Sequence, residues 1–377
     1  MINFDNSATS FPKPSEVKAA VLTAMTIFGG NPGRSGHKLS IDTANAVYTA
    51  RKTAADFFGA EAENVVFSLN CTHALNMAIK GIMINGGHII ISSLEHNSIA
   101  RPVYALSKKN VSYSVAQIYP DDERTLQSFE KLITPETKAV ACLIGSNVTG
   151  QILPYKQIGE LCRKHNICFI ADGAQVCGIL PVKMSDGVNI LCTAGHKGLY
   201  GITGTGLLIT DGKYEIASII EGGTGSTSLE LEQPDFLPDK LESGTVNTVG
   251  IISLGSGIEF INNIGIEKIY QHETSLCKLF ISELSKIDKA VIYREKNARY
   301  LPIVLFNIDG YTSNETATFL SNKGFALRSG LHCSGMAHKA IGTLPDGAVR
   351  FSPSVFNSEK EVGQLILAIK ILAGRNK

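Results

Sequence analysis

Several short stretches each place a reactive side chain directly after an apolar run. In "TAGHKGLYG" (193–201), Lys197 enters a glycine-rich turn where a buried run ends. An ammonium is costly to bury, so a lysine there needs a reason. One reason is a Schiff base with a carbonyl cofactor; the other is plain reach to solvent. In "FIADGAQ" (169–175), Asp172 ends a second run. Its carboxylate can keep a pyridine nitrogen protonated and so make the ring an electron sink, or it can cap the next helix. Gln175 follows closely enough to bond a ring hydroxyl. In "SLNCTHALNMAIKG" (68–81), a strand passes into a helix near Thr72. Free amides and the helix dipole suit an anion there, and an ordinary cap is the alternative. In "SSLEHNS" (92–98), His96 follows another run. An imidazole can stack on an aromatic ring and shuttle protons, or sit as a capping residue.

The stretch "ALRSGLHCSG" (326–335) differs from these. Gly330 and Gly335 bracket Cys333, downstream of Arg328 and directly after His332. A neighbouring cation raises the thiolate population of an accessible thiol, and both Arg328 and His332 are candidates for that. The other seven cysteines, at 71, 142, 162, 168, 177, 192 and 277, stand among apolar or mixed neighbours. Cys333, His332 and His338 are close in sequence, but their spacing is not a zinc pattern, and no metal is expected.

These residues need elements to position them. Strands are expected at 64–69, 87–92, 111–118, 139–146, 167–172, 189–194 and 204–210, several apolar on both alternating positions. Strands buried on both faces read that way. Helices are expected at 72–84, 97–109, 123–133 and 155–166, the last opening at Pro154. The alternation predicts an α/β layer structure with a mostly parallel sheet. The candidate anion site, His96, Asp172 and Lys197 then follow four different strands on the same kind of edge, where open α/β sheets bind ligands. Beyond about residue 250 the pattern becomes a long helical stretch (248–288), short strands and a closing helix (357–374), read as a smaller α+β unit.

The bulk properties agree. The 377 residues suit a large unit plus a smaller one. The chain is 44% hydrophobic and 18% charged with net charge +1, so neither nucleic acid nor an anionic membrane is expected as partner. The N-terminal "MINFDNSATS" lacks a basic region followed by a long apolar run, and no C-x-x-C pair occurs. A reducing cytoplasm is the expected location.

The ordered set "EH", "SNVTG", "DGAQ", "GHK", "ESGTVN" and "RSGLHC" resembles the class V aminotransferase family of pyridoxal-phosphate (PLP) enzymes, of fold type I. Within it the chain is similar to the cysteine desulfurases, especially the Suf-type branch. The likeness runs from "FDNSAT" (4–9) to "GAVRFSPSVFNSEKEV" (347–362). It implies a large PLP-binding α/β domain (12–247) with a seven-stranded, mostly parallel sheet, and a small α+β domain (1–11 and 248–377). It implies that Lys197 carries PLP, Asp172 meets the pyridine nitrogen, Gln175 the ring hydroxyl, and His96 stacks on the ring. Thr72 and His196 would bind the phosphate, with Thr245 of "ESGTVN" reaching in from the second subunit of a homodimer. Asn147 and Arg350 would receive L-cysteine; a guanidinium holds a carboxylate through two parallel bonds. Arg34 and His37, in "GRSGHKLS" (33–40), are further substrate-side candidates or simply part of a solvated basic loop.

Cys333 matches the sulfur acceptor of the desulfurases. The implied reaction removes sulfur from L-cysteine, leaving alanine and a persulfide on Cys333. That persulfide would pass to a sulfur-acceptor protein, for example in iron–sulfur cluster assembly. Selenocysteine lyase shares the fold, cofactor and cysteine position and remains an alternative, as does an aminotransferase or β-lyase of the same fold. The sequence departs from the branch in two places. Ala194 stands where a phosphate-binding serine is usual, so Thr193 or main-chain amides must compensate. "NCTHALN" also keeps only the second threonine, Thr72, of the usual pair.

Overall fold

The computed structural model describes residues 1–33 and 35–375. The chain opens with strand β1 (Ile2–Asn3) and helices α1 (Ser15–Ile27) and α2 (Lys38–Phe58). Then come β2 (Val65–Ser68), α3 (Cys71–Ile82), β3 (Gly87–Ser92), α4 (Asn97–Leu106), β4 (Val111–Ala116), α5 (Asp122–Glu130), β5 (Thr137–Leu143), α6 (Tyr155–Lys164), β6 (Cys168–Asp172), β7 (Ile190–Ala194) and β8 (Gly206–Thr210). The remainder is α7 (Thr248–Ile264), α8 (Ile266–Leu284), β9 (Ala290–Ile292), β10 (Val304–Ile308), α9 (Ser313–Asn322), β11 (Phe325–Ala326), α10 (Gly335–Ala340), β12 (Val349–Phe351) and α11 (Glu359–Ala373).

Seven strands form one sheet in the order β2-β8-β7-β6-β5-β3-β4. Strands β3 to β7 run parallel, and β8 lies antiparallel to both of its neighbours, β7 and β2. Strand β2 therefore points the same way as the parallel set. The core explains the apolar runs. Along β6, Phe169 and Ala171 join one cluster, while Cys168 and Ile170 join the cluster on the opposite face. Ile190 and Leu191 of β7 divide likewise. Successive side chains of a strand point to opposite faces, so a sheet covered on both sides needs apolar residues at every position.

A three-stranded antiparallel sheet, β12-β10-β9, carries a separate core that includes Phe4, Phe280, Phe306, Phe351 and Ile369. The rings of Phe280 and Phe351 stack with centroids 4.1 Å apart. Strand β1 pairs with β11, so the first residues of the chain join this unit.

The long helical stretch expected over 248–288 is two helices bent by 81°. The break is Gly265, at φ 95° and ψ 123°, a conformation open to glycine because it lacks a Cβ. Ile251, Leu254 and Ile258 of α7 pack in the large core, while Leu276, Phe280 and Leu284 of α8 pack in the smaller one. Among the described residues no single helix is long and apolar enough to cross a membrane.

Candidate active site

The loops after β2, β3, β5, β6 and β7 leave one edge of the sheet. They supply Thr72, His96, Asn147, Asp172, Gln175, His196 and Lys197, which line one cavity of about 500 Å³. The α3 end of that edge can sit close because β8 begins with a glycine. A Cβ on Gly206 would lie 2.5 Å from the Asn70 backbone.

Asn70 caps α3, its side chain accepting from the His73 amide at 2.9 Å. Among the described residues no acceptor pairs with the Cys71 and Thr72 amides. Two free donors at the positive end of a helix favour an anion. On the same cavity, His196 has a buried Nδ1 without a partner. Burial, then the charges of Lys197 and Lys13, push its imidazole down to about 4. Its backbone carbonyl accepts from the Ser10 amide at 3.2 Å and from Lys13 Nζ at 2.9 Å, which tie the N-terminal segment to this turn. Thr193 does not fill the role left by Ala194: its hydroxyl donates to the Gly173 carbonyl at 3.3 Å.

Asp172 is buried at the end of β6. Its Oδ1 accepts from the Ala174 amide at 2.9 Å and faces the Cys71 thiol at 3.5 Å. Among the described residues its Oδ2 has only Ser98 Oγ, at 3.4 Å. That hydroxyl lies closer, at 2.8 Å, to Nδ1 of His96, which also accepts from the Ser98 amide at 3.1 Å. A nitrogen that accepts from an amide carries a lone pair, so the Ser98 hydroxyl donates to His96 Nδ1 as well. The network thus assigns the His96 proton to Nε2 and leaves Asp172 Oδ2 open to another donor. Burial lowers the His96 pKa, against the opposing pull of Asp172. Gln175 donates its Nε2 to the Ser7 carbonyl at 3.1 Å, and among the described residues its oxygen has no hydrogen-bond donor.

Lys197 lines this cavity and a second one of about 420 Å³ behind it, which Gln175 also lines. Among the described residues its Nζ has no ion-pair partner within 4.0 Å. Burial lowers its pKa, and the Arg350 and Arg328 charges add to this, while Asp172 opposes. Such an amine suits nucleophilic attack on a carbonyl.

Cys333 is the one exposed cysteine; the other seven are buried. Arg328 Nη2 lies 3.4 Å from its Sγ. Its carbonyl accepts from the Asn97 amide at 2.9 Å, next to His96 in the chain. Sequence reasoning offered His332 as a second cation, and the structure corrects this. His332 is only 2% exposed, and burial with the Arg350 charge pushes its imidazole down to about 2. Its ring bonds to His338 and to the Arg328 carbonyl, not to the thiol.

The expected substrate residues have partners of their own. Asn147 donates to the His332 carbonyl and accepts from Ser334 Oγ, each at 2.8 Å, and so clamps the residues flanking Cys333. Arg350 is 1% exposed; Nη1 donates to the Asn147 carbonyl at 2.9 Å and Nη2 to Asp5 at 2.6 Å. Its Nε is buried and unpartnered. Asp5 had no role in the sequence reading, although it sits in the quoted "FDNSAT". Thr245 and His37 are exposed and do not line the cavity of their own chain. They lie near each other instead. Asn31 donates to Thr245 at 3.4 Å, Ser40 to the Asn31 carbonyl at 2.6 Å, and the Ser40 amide to His37 at 3.2 Å. Arg34 lies outside the described residues.

The chain belongs to the class V aminotransferase family, whose profile matches residues 2–365. Its similar relatives within that family are named as desulfurases. A probable cysteine desulfurase of Borreliella burgdorferi is 29% identical over 98% of this chain and 91% of its own length. One of Pyrococcus abyssi is 31% identical over 96% and 92%. Among solved structures, the apo cysteine desulfurase of Thermococcus onnurineus NA1 superimposes with a TM-score of 0.91 at 29% identity, covering 99% of this chain and 94% of that one. The α/β architecture with its mostly parallel sheet is that of fold type I.

Proposed function

We propose that this protein is a PLP-dependent cysteine desulfurase. The observation that carries the reading is the single exposed thiol, Cys333, held beside Arg328 and bonded through its backbone to the loop that carries His96. The cavity fits the cofactor in three respects. The Cys71 and Thr72 amides with His196 suit a phosphate, Asp172 Oδ2 is an open acceptor for a ring N–H, and Lys197 offers an unpaired amine. Thr72 would add its hydroxyl to the phosphate, Gln175 would meet the ring hydroxyl and His96 would stack on the ring. When bound, PLP supplies the electron sink that makes the substrate α-proton removable.

The chain's own groups would do the rest. Lys197 Nζ, whose burial favours the neutral amine, takes the α-proton. Arg350 holds the substrate carboxylate by exchanging its partner Asp5, with Asn147 alongside. Cys333 Sγ attacks the sulfur of L-cysteine. The carbon–sulfur bond of the substrate breaks, its electron pair stays with the substrate and the β-carbon takes up a proton, a sulfur–sulfur bond forms, and alanine leaves while the persulfide stays on Cys333. The exposed persulfide then passes to an acceptor protein. The exposed cluster of Thr245, Asn31 and His37 would serve the cavity of a partner subunit, giving a homodimer with shared sites. Eight unpaired cysteines suit the reducing cytoplasm, where we place the protein.

The test is mass analysis of the PLP-loaded protein after L-cysteine. The expected result is free alanine and an extra sulfur on the Cys333 peptide, removable by a thiol reductant. Alanine formed without any sulfur on Cys333, or amino transfer to a keto acid in its place, would refute the assignment.

A further inference from the structure

Beneath Cys333 lie two buried histidines and a threonine that line neither cavity. His332 Nε2 is 3.3 Å from the Arg328 carbonyl, and His332 Nδ1 is 3.2 Å from His338 Nε2. His338 Nδ1 is 2.6 Å from Thr343 Oγ1. His338 is 0% exposed and Thr343 7%. Resting on the reading of Cys333 as the sulfur-accepting thiol, we propose that His338 is a positioning residue for it. It acts through a one-way chain of hydrogen bonds, Thr343 to His338 to His332 to the Arg328 carbonyl.

The direction follows from what each atom can do. A carbonyl only accepts, so His332 Nε2 must carry a proton. With that ring neutral, His332 Nδ1 is an acceptor and His338 Nε2 must donate to it. His338 Nδ1 is then an acceptor, and the Thr343 hydroxyl donates. The opposite direction would set the lone pair of His332 Nε2 against a carbonyl oxygen. A second proton on His332 would make it a cation where burial and the Arg350 charge push its imidazole down to about 2. With both rings neutral, as burial favours, only this arrangement gives each contact in the chain one donor and one acceptor, and buried polar groups left unpaired are costly; Thr343 Oγ1 also lies 3.4 Å from the His338 carbonyl, farther than its 2.6 Å to Nδ1.

Two members of the chain, Arg328 and His332, meet the thiol residue. At one end, Arg328 is the residue whose guanidinium touches Cys333 Sγ. In the middle, His332 and Cys333 have φ of 50° and 57°, consecutive left-handed residues that are not glycine. Side chains disfavour that conformation, and it persists only where the surroundings over-determine it. Asn147 holds the His332 carbonyl, the Asn97 amide holds the Cys333 carbonyl, and the histidine chain holds the His332 ring. If the His338 donor is lost, His332 Nδ1 is orphaned in a buried place. Turning the ring to rescue it gives up the Arg328 carbonyl, and the left-handed turn loses one of its restraints.

The experiment has two arms on the PLP-loaded protein. The first reads the histidine nitrogens by NMR of 15N-histidine-labelled protein near neutral pH. His332 and His338 are expected as neutral rings protonated at Nε2; either one protonated at Nδ1 alone overturns the inference. The second compares His338→Phe, which fills the space without a donor, with His338→Gln, which keeps a donor toward His332. We expect His338→Phe to lower kcat for alanine release about tenfold with KM within about twofold, and His338→Gln to return to within about threefold of the parent. A glutamine variant as slow as the phenylalanine one, or a phenylalanine variant as fast as the parent, also overturns it. A parent protein that makes no alanine from cysteine refutes the desulfurase reading instead. The ring protonation pattern then decides the inference alone.

Discussion

The Sγ of Cys333 lies 3.4 Å from Nη2 of Arg328, and the two residues are held from different sides. Arg328 bridges to Arg350 across the backbone of the smaller unit, its carbonyl accepting from the Arg350 amide at 2.8 Å. Cys333 is tied to the large unit through Asn97 and, by way of its neighbours, Asn147. The thiol and its cationic neighbour therefore meet where the two units meet.

Cys333→Ala separates cofactor chemistry from sulfur transfer. The variant should bind PLP and still change its absorption spectrum on adding L-cysteine. Its alanine release should fall by roughly 10²-fold or more, because the nucleophile for the bond-breaking step is gone. Alanine formation at the parent rate would count against the role given to Cys333. Full activity on selenocysteine alone would favour a lyase, since selenium leaves more readily.

Lys197→Ala should bind PLP only reversibly. Borohydride treatment of the parent followed by peptide mass analysis should find the cofactor on the Lys197 peptide. The variant should lose it to gel filtration. Cofactor retained covalently by the variant would move the assignment to another lysine.

Thr245 is argued to serve a partner's cavity, and mixing tests that directly. Lys197→Ala and Thr245→Ala proteins, unfolded together and refolded, should form mixed dimers with one site complete. Random pairing then restores about a quarter of the parent activity for a symmetric dimer. If Thr245 acts only within its own chain, the mixture does no better than the sum of its parts.

The apo-protein should be most stable near pH 6.5. Unfolded imidazoles titrate near that value, while burial holds native His196 down to about 4 and His332 to about 2. As pH falls below about 6.5 the unfolded chain binds more protons, and stability falls. Burial also raises Glu95 and Glu273 from the ordinary 4.5 to about 8. There the native state holds the extra protons, so these two groups lose stability as pH rises toward 8. Between pH 4.5 and 6.5 the sets oppose, and burial also lowers His96 and His338, which puts more groups on the histidine side. Urea midpoints across pH 5 to 8 measure this. Glu273→Gln should flatten the alkaline limb, and an unchanged limb would show that the carboxyl is already ionised at neutral pH.

The strand edge and its residues were legible because each chemical group follows within a few residues of a largely apolar run. A run of that kind ends where a covered sheet ends, so Asp172 and Lys197 had to fall on one rim. The bend at Gly265 was not legible, since both flanking segments carry helical periodicity and only the backbone shows the turn. The neutral state of His332 was also hidden. Sequence places it next to Cys333, but its ring turns away into a buried bond with His338, six positions on. Asp5 was missed because its partner Arg350 lies at the other end of the chain. Thr245 was expected to reach in from a second subunit and His37 to lie on the substrate side or in a solvated loop; both are exposed and neither lines the cavity of its own chain.

The two carbonyl anchors on either side of the Cys333 peptide set how far a sulfur atom can be delivered. His332 and Cys333 are each held through their own backbone oxygen, so the side chain has only its own bonds to swing on. A persulfide lengthens that side chain by about 2 Å, the length of one sulfur–sulfur bond. The loaded atom thus moves only within the arc of one side chain rather than on a swinging loop. The travelling must be done by the recipient, which has to bring a thiol to within bonding distance of a single point on the surface.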